Sequence, residues 1–576
     1  MSEDKRAKNE FIKESSHLLR GTIAEGLADQ STGAISEDDA QLTKFHGTYM
    51  QDDRDLRPER AKKKLEKAYS FMIRVRLPGG VTSSKQWLQL DAIAGTYANH
   101  SLRLTTRQTF QFHGIIKSNM RRTMQAINAA CLDTLAACGD VNRNVLATSS
   151  PNFSKAHAAA HELAVKVSEH LLPKTGAYHE IWLDGEEVTD KTGPAKAEAE
   201  PIYGTHYLPR KFKIVIAVPP SNDVDIYAHD LGYIAIVDDK GKVVGYNVTI
   251  GGGMGMTHGE VETFPRTADL LGFCTPEQAV DVAEKVVTVQ RDWGNRENRK
   301  RARLKYTIED RGFDNFRAEV EKRLGYALGE PHPFEFTSTG DVIGWQQGSD
   351  KKWHLTLFIE NGRIKDRPGQ TLRTAIREIA EVHKGGFIVT ANQNLIVSNV
   401  AAKSKAKIEA ILAEHGIALA TSSGLRRNSM ACVALPTCGL ALAESERYLP
   451  GLLSKLEDVL DEAALKDDDI VIRMTGCPNG CARPYLAEIG LVGRNPGLYN
   501  LYLGAAFNGS RLNKLYAEDV NETQILGLLE PILKRYAKER ETGEHFGDFA
   551  IRAGYVNATT AGNRFHADIE LAKLAS

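Results

Sequence analysis

The sequence predicts an α+β protein built from two diverged copies of one unit. Short apolar strands alternate with amphipathic helices in both halves of the 576-residue chain. Two motifs of the first half recur in the second half at one offset, 284 to 285 residues further on. Four of the seven cysteines are confined to one segment of the second copy. The predicted fold class and the candidate site both depend on these three observations.

Length and composition indicate several globular domains, about three to four at this length. With 42% hydrophobic and 26% charged residues, the chain can form large cores. The net charge of −1 gives no global preference for nucleic acid or for a membrane surface. No secretory signal and no membrane-spanning apolar run is visible, and an odd number of cysteines fits a reducing compartment. We therefore expect a cytoplasmic protein that binds neither nucleic acid nor membrane.

Residues 1–65 are charged and only weakly periodic. We interpret them as an N-terminal extension that lies over a larger body and acts as a docking arm. For the first twenty residues, a solvated tail is the alternative.

The first copy begins with residues 71–80, which predict a strand closed by a turn, and residues 83–94, which predict a helix. Residues 102–113 are interpreted as one strand with alternating faces. Its polar face carries Arg103, Thr105, Arg107, Thr109, Gln111 and His113. Two arginines on one strand face are costly to bury unpaired, so this face either meets water or binds an anion.

The second copy repeats this order of motifs. The matched segments are 104–110 with 389–395, 143–147 with 427–431, 71–80 with 354–362 and, loosely, 212–216 with 469–473. Arg107 is replaced by Asn392 in the second copy, and Thr148 is replaced by Cys432. One copy therefore kept positive charge while the other gained thiols, which predicts a single composite site between the two halves.

The grouped cysteines are Cys432, Cys438, Cys477 and Cys481, spaced C-x5-C and C-x3-C. Sets of four thiolates hold iron–sulfur clusters, whereas the C-x5-C pair fits a structural zinc site poorly. Residues 469–472 predict a buried strand, and residues 476–480 predict a tight turn that brings two thiolates together. We expect an iron–sulfur cluster, with zinc or free thiols as the alternatives. The other cysteines, Cys131, Cys138 and Cys274, are expected to be buried free thiols.

Two further segments lie between the copies. Residues 249–258 form a glycine-rich loop that fails the dinucleotide-binding pattern, since His258 replaces the third glycine. We interpret this loop as a place where backbone approaches a large ligand, with a flexible turn as the alternative. Residues 274–293 predict a helix, and a basic run follows it.

Taken together, these motifs resemble the sulfite/nitrite reductase family. The pattern Thr475-Gly-Cys477-x3-Cys481-x6-Glu488-Ile-Gly490 matches the family signature, although Leu491 stands where the family often has Thr. Further matches follow in order along nearly the whole chain, at residues 103–108, 142–144, 208–213 and 291–295.

The resemblance implies two ferredoxin-like half-domains that form one central domain, plus two related α/β domains that bind sirohaem and the cluster. The implied boundaries are 1–65 for the extension, 66–138 for half-domain one, 139–345 for the sirohaem and substrate domain, 346–424 for half-domain two, and 425–576 for the iron–sulfur domain.

The resemblance also implies the cofactors and their residues. Cys432, Cys438, Cys477 and Cys481 would bind one [4Fe–4S] cluster, and Cys481 would also ligate the iron of one sirohaem. The eight carboxylates of sirohaem would pair with Arg103, Arg107, Arg210 and Arg303, and Gln111 and His113 would lie close by. Arg303 stands where some members have Lys. The substrate anion would be bound by Arg74, Arg143, Lys211 and Lys213. Because nitrite-reducing relatives commonly have Asn at the last position, Lys213 favours sulfite.

The implied activity is the six-electron reduction of sulfite to sulfide in assimilatory sulfur metabolism. The chain shows no flavin or NADPH site, so the resemblance implies an NADPH-oxidising flavoprotein (alpha) reductase subunit as the electron donor. Alternatives are a ferredoxin-dependent sulfite reductase and a nitrite reductase. A protein of another class, an RNA-binding protein with a structural cluster, would lack sirohaem absorption.

Overall fold

A computed structural model describes residues 5–179, 200–419 and 422–573 of the chain. Its strands are β1 Thr48–Asp52, β2 Tyr69–Arg74, β3 Val81–Ser83, β4 Leu102–Leu104, β5 Phe110–Ile115, β6 Leu146–Ala147, β7 Ile214–Ala217, β8 Leu231–Val237, β9 Val243–Ile250, β10 Asp269–Cys274, β11 Gly344–Gln347, β12 Trp353–Leu357, β13 Arg363–Ile364, β14 Asp366–Arg367, β15 Gln370–Thr371, β16 Gly386–Val389, β17 Leu395–Val400, β18 Ser429–Ala431, β19 Ile472–Thr475, β20 Ile489–Asn495, β21 Leu498–Leu503 and β22 Lys514–Val520.

Its α-helices are α1 Lys8–Glu14, α2 Ile23–Ala28, α3 Glu37–Leu42, α4 Arg57–Lys62, α5 Ser84–Thr96, α6 Met120–Ala129, α7 Lys155–His170, α8 Ala177–His179, α9 Ala279–Trp293, α10 Leu304–Arg311, α11 Phe313–Leu324, α12 Leu372–Val382, α13 Lys405–Glu414, α14 Gly424–Arg427, α15 Leu449–Glu462, α16 Glu522–Glu539 and α17 Phe546–Arg552. Among the residues that the structure describes, no helix is both long enough and apolar enough to cross a bilayer.

Two five-stranded sheets form the central domain, and each takes one edge strand from the other half. The first sheet has the order β1-β2-β5-β4-β13, and the second has the order β11-β12-β17-β16-β3. Ile364 of the second copy lies opposite Leu102 of the first, while Thr82 of the first lies opposite Phe387 of the second. Because the exchange is reciprocal, neither half-domain completes its sheet alone.

The two halves also share one apolar core. Trp87 on α5 is almost fully buried and packs against Phe110 of the first half and Phe387 of the second, with ring centroids 5.5 Å and 4.7 Å apart. Residues 83–94 were predicted to be helical, and Ser83 caps α5 through the backbone N–H of Gln86. The core therefore fixes how the first copy sits against the second.

The prediction of a single strand over residues 102–113 is wrong, because these residues form an antiparallel hairpin. Arg103 on β4 lies opposite Gln111 on β5, and the turn between them places Gln108 at a φ of 50°. Arg103 and Gln111 still share a face, since directly opposed residues point the same way. Arg107 lies in the turn and leaves that face. The second copy repeats the hairpin, with Gln393 at a φ of 68°.

The two flanking domains contain sheets of one topology. Both β6 to β10 and β18 to β22 follow chain order, with two parallel pairings and then two antiparallel ones. Ile214 lies opposite Leu231 in one sheet, and Ile472 lies opposite Ile489 in the other. The copies of this strand are thus offset by 258 residues, one more than the loose alignment of 212–216 with 469–473 gave.

Two predicted boundaries shift for local reasons. The strand predicted over 469–472 starts at Ile472 and runs to Thr475. The helix predicted over 274–293 starts at Ala279, because Cys274 still pairs in β10 and Thr275 begins a turn closed by the Gln278 side chain.

The N-terminal extension folds onto the body of the protein. Ile12, Leu19 and Ile23 are buried in the core of the first flanking domain. Further on, β1 extends the first central sheet by pairing with β2. A solvated tail is therefore excluded for residues 8–23, and residues 1–4 lie outside the described part of the chain.

The close contact between the two halves beside the exchanged edge strands β3 and β13 predicts the cost of adding a side chain there. Gly80 has a φ of +76°, and a Cβ there would lie 2.3 Å from the Val389 carbonyl oxygen of the other half. Gly362 mirrors it, with a φ of +72° and the Leu104 carbonyl oxygen at 2.5 Å. We expect Gly80→Ala and Gly362→Ala each to lower the free energy of unfolding by about 2 kcal/mol or more beyond the cost of the left-handed backbone. Urea denaturation measures this.

Gly241→Ala is the matched control, because Gly241 has a φ of +72° but nothing within 4 Å of the place that a Cβ would occupy. Its cost should stay near the left-handed backbone cost of about 1 kcal/mol. Equal costs at Gly241 and Gly80 would show that the contact between the halves contributes nothing.

Candidate redox centre

A cavity of about 830 Å³ lies where the extension, the central domain and both flanking domains meet. This volume is within the range of small-molecule and cofactor sites, roughly 300–1,000 Å³. The predicted site residues that border it are Arg74, Arg103, Gln111, His113, Arg143, Arg210, Lys211, Cys432, Cys438, Cys477 and Cys481. The structure thus brings together cations of the first copy and thiols of the second.

The four thiols are held by two loops of the second flanking domain. Cys432 directly follows β18, and the turn after β19 carries Cys477 and Cys481. The backbone N–H of Gly476 donates to Cys432 Sγ at 3.4 Å, and the Asn479 amide donates to Cys477 Sγ at 3.5 Å. N–H groups directed at sulfur stabilise negative charge there, as an iron–sulfur cluster requires.

The thiols interact with one another electrostatically. Burial raises the pKa of Cys432 to about 12, and the neighbouring Cys481 and Cys477 add to the rise. Burial and Cys481 likewise raise the pKa of Cys477 to about 12. Without a metal these groups keep their protons, so binding a metal must release them.

The four thiols of this pair of loops all border one cavity. In the part of the chain that the structure describes, no three His, Cys, Asp or Glu side chains converge on a single metal position. A lone tetrahedral ion would need sulfurs roughly 3.8 Å apart, given metal–sulfur bonds of about 2.3 Å. A cluster of four irons holds its thiolates further apart, and four thiols around one cavity fit that arrangement.

The hairpin turn of the first copy positions the last cysteine. The Thr106 hydroxyl donates to the Cys481 carbonyl oxygen at 3.1 Å. The Arg483 guanidinium donates to the Thr106 carbonyl oxygen at 3.1 Å and pairs with the buried Asp225. The turn that displaced Arg107 from the predicted strand face therefore ties the two copies together at Cys481.

The glycine-rich loop packs against the turn that carries Cys477 and Cys481. The Met256 N–H donates to the Pro478 carbonyl oxygen at 2.8 Å, and a Cβ on Gly480 would lie 3.0 Å from the Met254 carbonyl oxygen. Buried Lys305 holds the loop by donating to the Gly255 carbonyl oxygen at 2.7 Å. The loop backbone therefore lies close to the cysteine turn, and its approach to a large ligand remains a prediction.

Three of the predicted anion-binding cations border the cavity. Arg74 donates to Cys138 Sγ at 2.7 Å. With the Gln111 amide turned so that its oxygen faces the guanidinium, Arg74 Nε also donates to that oxygen at 3.2 Å. Arg143 donates to the Ala137 carbonyl oxygen. Within the described residues, neither these two arginines nor Lys211 has a carboxylate within 4.0 Å. Burial, together with Arg210 and Arg143, lowers the pKa of Lys211 to about 7.

Three other predicted residues lie behind the cavity wall. Arg303 donates to both carboxylate oxygens of buried Asp230, at 3.0 Å and 2.8 Å. Arg107 donates to the carbonyl oxygen of Asn144 and contacts the His229 ring. Lys213 has its pKa lowered well below the usual range by burial and by the charges of Arg303 and Lys211. Their predicted contacts with sirohaem or substrate remain predictions.

Sequence reasoning missed the carboxylates that neutralise the rest of the wall. Arg103 pairs with Glu446, which also accepts from Arg363 at 2.6 Å. Asp140 pairs with Arg299 at 2.8 Å and lies 3.8 Å from Lys13. Lys44 of the extension also borders the cavity. No periodicity marks these residues, because each is isolated in its segment and meets its partner through long-range folding.

His113 supplies a test of whether the wall fits an anionic tetrapyrrole. It is buried and borders the cavity, yet neither ring nitrogen has a hydrogen-bond partner among the described residues. Buried polar atoms are rarely left unsatisfied. An unpaired imidazole and unpaired cations on one wall fit a bound group rich in carboxylates.

The isolated cysteines are free, but one of the burial predictions is wrong. Cys138 and Cys274 are buried as expected, whereas Cys131 is exposed. Cys131 follows the end of α6 with a φ of 55°, and this left-handed turn directs its side chain outward. Cys138 also has neighbours that the sequence did not predict, since Arg74 and Arg143 both contact its sulfur.

A duplicated fold with thiols and cations around one cavity defines a class, the metal-dependent oxidoreductases with a composite redox centre. Comparison with known families identifies the family within this class. Residues 63–130 and 346–415 match the nitrite/sulfite reductase ferredoxin-like half domain, and residues 164–328 match the nitrite and sulphite reductase 4Fe-4S domain. The chain belongs to the nitrite and sulfite reductase family. The predicted family, fold class and oxidoreductase assignment are confirmed.

Curated relatives support this membership over nearly the whole chain. A protein of Methylobacterium nodulans named sulfite reductase (NADPH) hemoprotein beta-component is 64% identical over 97% of this chain and 92% of its own length. A protein of Oceanobacillus iheyensis with the same name is 59% identical over 97% of this chain and 96% of its own. The solved structure of the NirA protein of Mycobacterium tuberculosis has the same fold, with a TM-score of 0.76 at 23% identity over 96% and 97% of the two chains.

The Asp140 cluster yields a prediction about acid sensitivity. Burial alone would raise the pKa of Asp140, but Arg299 and Lys13 outweigh it and hold the pKa well below its usual range. Its contribution is therefore complete above the usual carboxyl pKa of about 3.9 and is lost as the pH falls below that value. We expect Asp140→Asn to lower the free energy of unfolding at pH 7 by about 3–5 kcal/mol, and to increase amide exchange in α1.

Urea denaturation from pH 7 to pH 3 and hydrogen exchange of residues 8–23 measure these effects. The control is Asp38→Asn, because Asp38 forms an exposed pair with Lys8, and such pairs contribute below about 1 kcal/mol. If Asp140→Asn unfolded at the wild-type urea concentration throughout this pH range, the cluster would not stabilise the extension.

Proposed function

We propose that this protein reduces sulfite to sulfide by six electrons at a sirohaem coupled to a [4Fe–4S] cluster, in assimilatory sulfur metabolism. The observation that carries this proposal is the single cavity bordered by four thiols on one side and by uncompensated cations on the other. When bound, the cluster and the tetrapyrrole supply one-electron redox chemistry and a metal position for the substrate. The curated relatives' names support sulfite as the substrate.

The residues that hold the cofactors are proposed by chemistry and position. Cys432, Cys438, Cys477 and Cys481 hold the cluster, and Cys481 also ligates the tetrapyrrole iron. Arg103, Gln111, His113 and Arg210 face the acidic rim of the tetrapyrrole, because all four border the cavity. Arg107 and Arg303 support this wall from behind through Asn144 and Asp230.

The substrate anion is bound by Arg74, Arg143, Lys211 and Lys213. Sulfite is strongly hydrated, so fixed cations must replace the water that it loses on binding. Arg74, Arg143 and Lys211 can do so, because they border the cavity and, among the described residues, form no ion pair with a carboxylate. Lys213 lies behind them and would complete the set. Lys211, with a pKa of about 7, can donate a proton and regain it near neutral pH.

The electrons come from a protein partner, which we propose to be an NADPH-oxidising flavoprotein subunit. The relatives' names include NADPH, while this chain's glycine-rich loop lacks the third glycine of the dinucleotide-binding pattern and packs on the cysteine turn. The residues proposed to bind the anion and to donate protons would act in the same way with a ferredoxin donor. Turnover measured with the flavoprotein and with a ferredoxin therefore decides which protein is the donor.

The ligand assignment predicts the effect of removing one thiol. We expect Cys432→Ser and Cys477→Ser to lose most of the iron and acid-labile sulfide of the purified protein, because each removes a ligand of the proposed cluster. Affinity should fall by more than the 10–100-fold typical for supporting partners of metal ligands. Metal and sulfide analysis of the purified chains measures this.

Cys274→Ser is the matched control, since Cys274 is also a buried thiol but lies in the core of the other flanking domain. It should keep its full iron content. Iron and sulfide retained in Cys432→Ser, or lost equally from Cys274→Ser, would refute the ligand assignment.

The anion assignment predicts a substrate-dependent effect at Lys213. A bound anion would favour the charged form of Lys213. Sulfite carries up to two negative charges near neutral pH and nitrite carries one, so loss of this side chain costs sulfite more. We expect Lys213→Asn to reduce sulfite turnover by about 100-fold, the scale for one electrostatic donor, and nitrite turnover by under about tenfold. Steady-state rates with a viologen reductant measure both, and exposed Lys240→Asn should change neither. Equal losses on both substrates would contradict this role for Lys213.

A further inference from the structure

An exposed basic segment lies beside the cysteine loop, and neither the fold nor the cavity accounts for it. Residues 54–67 contain seven basic and three acidic side chains, a net charge of +4 in a chain whose total is −1. They include α4, every residue of which is exposed or half-buried. Leu56 and Leu65 are also exposed, at 41% and 52%. Exposed leucines between exposed basic side chains are the combination that a protein interface uses, with an apolar centre and a polar rim.

This basic segment is attached directly to the loop that carries Cys438. The Arg54 guanidinium donates to the Ala441 carbonyl oxygen at 2.6 Å and to the Cys438 carbonyl oxygen at 3.4 Å. The Arg54 N–H donates to the Pro436 carbonyl oxygen at 3.2 Å. Since α4 begins three residues later, its first Cα lies at most about 11 Å from that of Arg54.

The cysteine loop is itself open to solvent at this place. Leu440, two residues after Cys438, is 68% exposed. Arg447 pairs with Asp55 at 2.7 Å and so joins the loop's own domain to the basic segment a second time. The patch is therefore fixed to the loop that carries Cys438, one thiol of the proposed cluster.

We propose that residues 54–67, together with Leu440, form the docking surface for the flavin-binding domain of the electron donor, which meets it with an acidic face. This inference rests on the proposed function and identifies where the partner binds. Opposite charges orient the encounter, and the exposed leucines add apolar contact at its centre. With a cluster bound at the four thiols, each encounter would pass one electron to it, so the partner's reduced flavin would be oxidised by one electron, the cluster would be reduced by one, and no bond would be made or broken.

The test compares two triple variants of the full-length protein. Lys62→Glu/Lys64→Glu/Lys67→Glu reverses charge in the basic segment. Lys240→Glu/Lys403→Glu/Lys407→Glu reverses the same charge on the β8–β9 turn and near α13, where these lysines are exposed. Each is assayed for sulfite reduction with a purified NADPH-dependent flavoprotein reductase, with reduced plant-type ferredoxin, and with reduced methyl viologen, which needs no docking surface.

We expect the first variant to raise the KM for the flavoprotein at least about tenfold and to lose most of its dependence on salt concentration, as screened encounters do. Its viologen rate should stay within about twofold of wild type, and the control variant should keep the wild-type KM. An unchanged KM, an equal rise in the control, or an equal fall with methyl viologen would each overturn the docking surface. A rise in the KM of the first variant for ferredoxin, without a rise for the flavoprotein, would also overturn it.

The viologen assay of the wild-type protein distinguishes failure of the docking surface from failure of the proposed sulfite reduction. If wild-type protein fails to reduce sulfite with methyl viologen, the proposed function is wrong, and the docking proposal falls with it. A normal viologen rate with an unchanged flavoprotein KM in the first variant overturns the docking surface alone.

Discussion

Uncompensated positive charge on one wall of the cavity is the constraint on which the rest of the structure depends. Arg143 is buried, Arg74 and Lys211 are half-buried, and unpaired cations in such positions are costly. The neighbouring cations are neutralised by Asp140 and Glu446, so the fold supplies carboxylates where it needs them. It leaves the central wall positive, and a bound anionic group is what balances that charge.

Duplication explains why this charge and the thiols meet in one place. The 258-residue offset of the flanking sheets places Asp223 where the second copy has Cys481. Beside Asp223, side chains of the second copy take the corresponding place. The Asn392 amide donates to the Asp223 carbonyl oxygen at 2.9 Å and to Asp341 at 3.1 Å, and the Asn394 amide donates to Asp341 at 2.8 Å. Burial raises the pKa of Asp223 to about 7. Of these two pseudo-equivalent places, the thiol-bearing one borders the cavity and the carboxylate-bearing one is packed.

The sequence predicted what depends on local pattern and repetition. The internal repeat gave the duplicated sheets, and the cysteine spacing gave four thiols that border one cavity. It could not reveal that residues 105–109 turn, because a polar hairpin turn between apolar strands keeps the period of a strand. Nor could it distinguish cations that border the cavity from those behind it, since Arg303 is withdrawn by Asp230, 73 positions away in the chain. Long-range pairs of this kind have no local signal.

The visible absorption spectrum of the purified chain, recorded with and without sulfite, tests the central claim most directly. If the two copies enclose one tetrapyrrole beside an iron–sulfur cluster, the spectrum will contain tetrapyrrole bands, and added sulfite will shift them. A protein with complete cluster iron and sulfide but without tetrapyrrole bands, or with bands that ignore sulfite, would contradict the account.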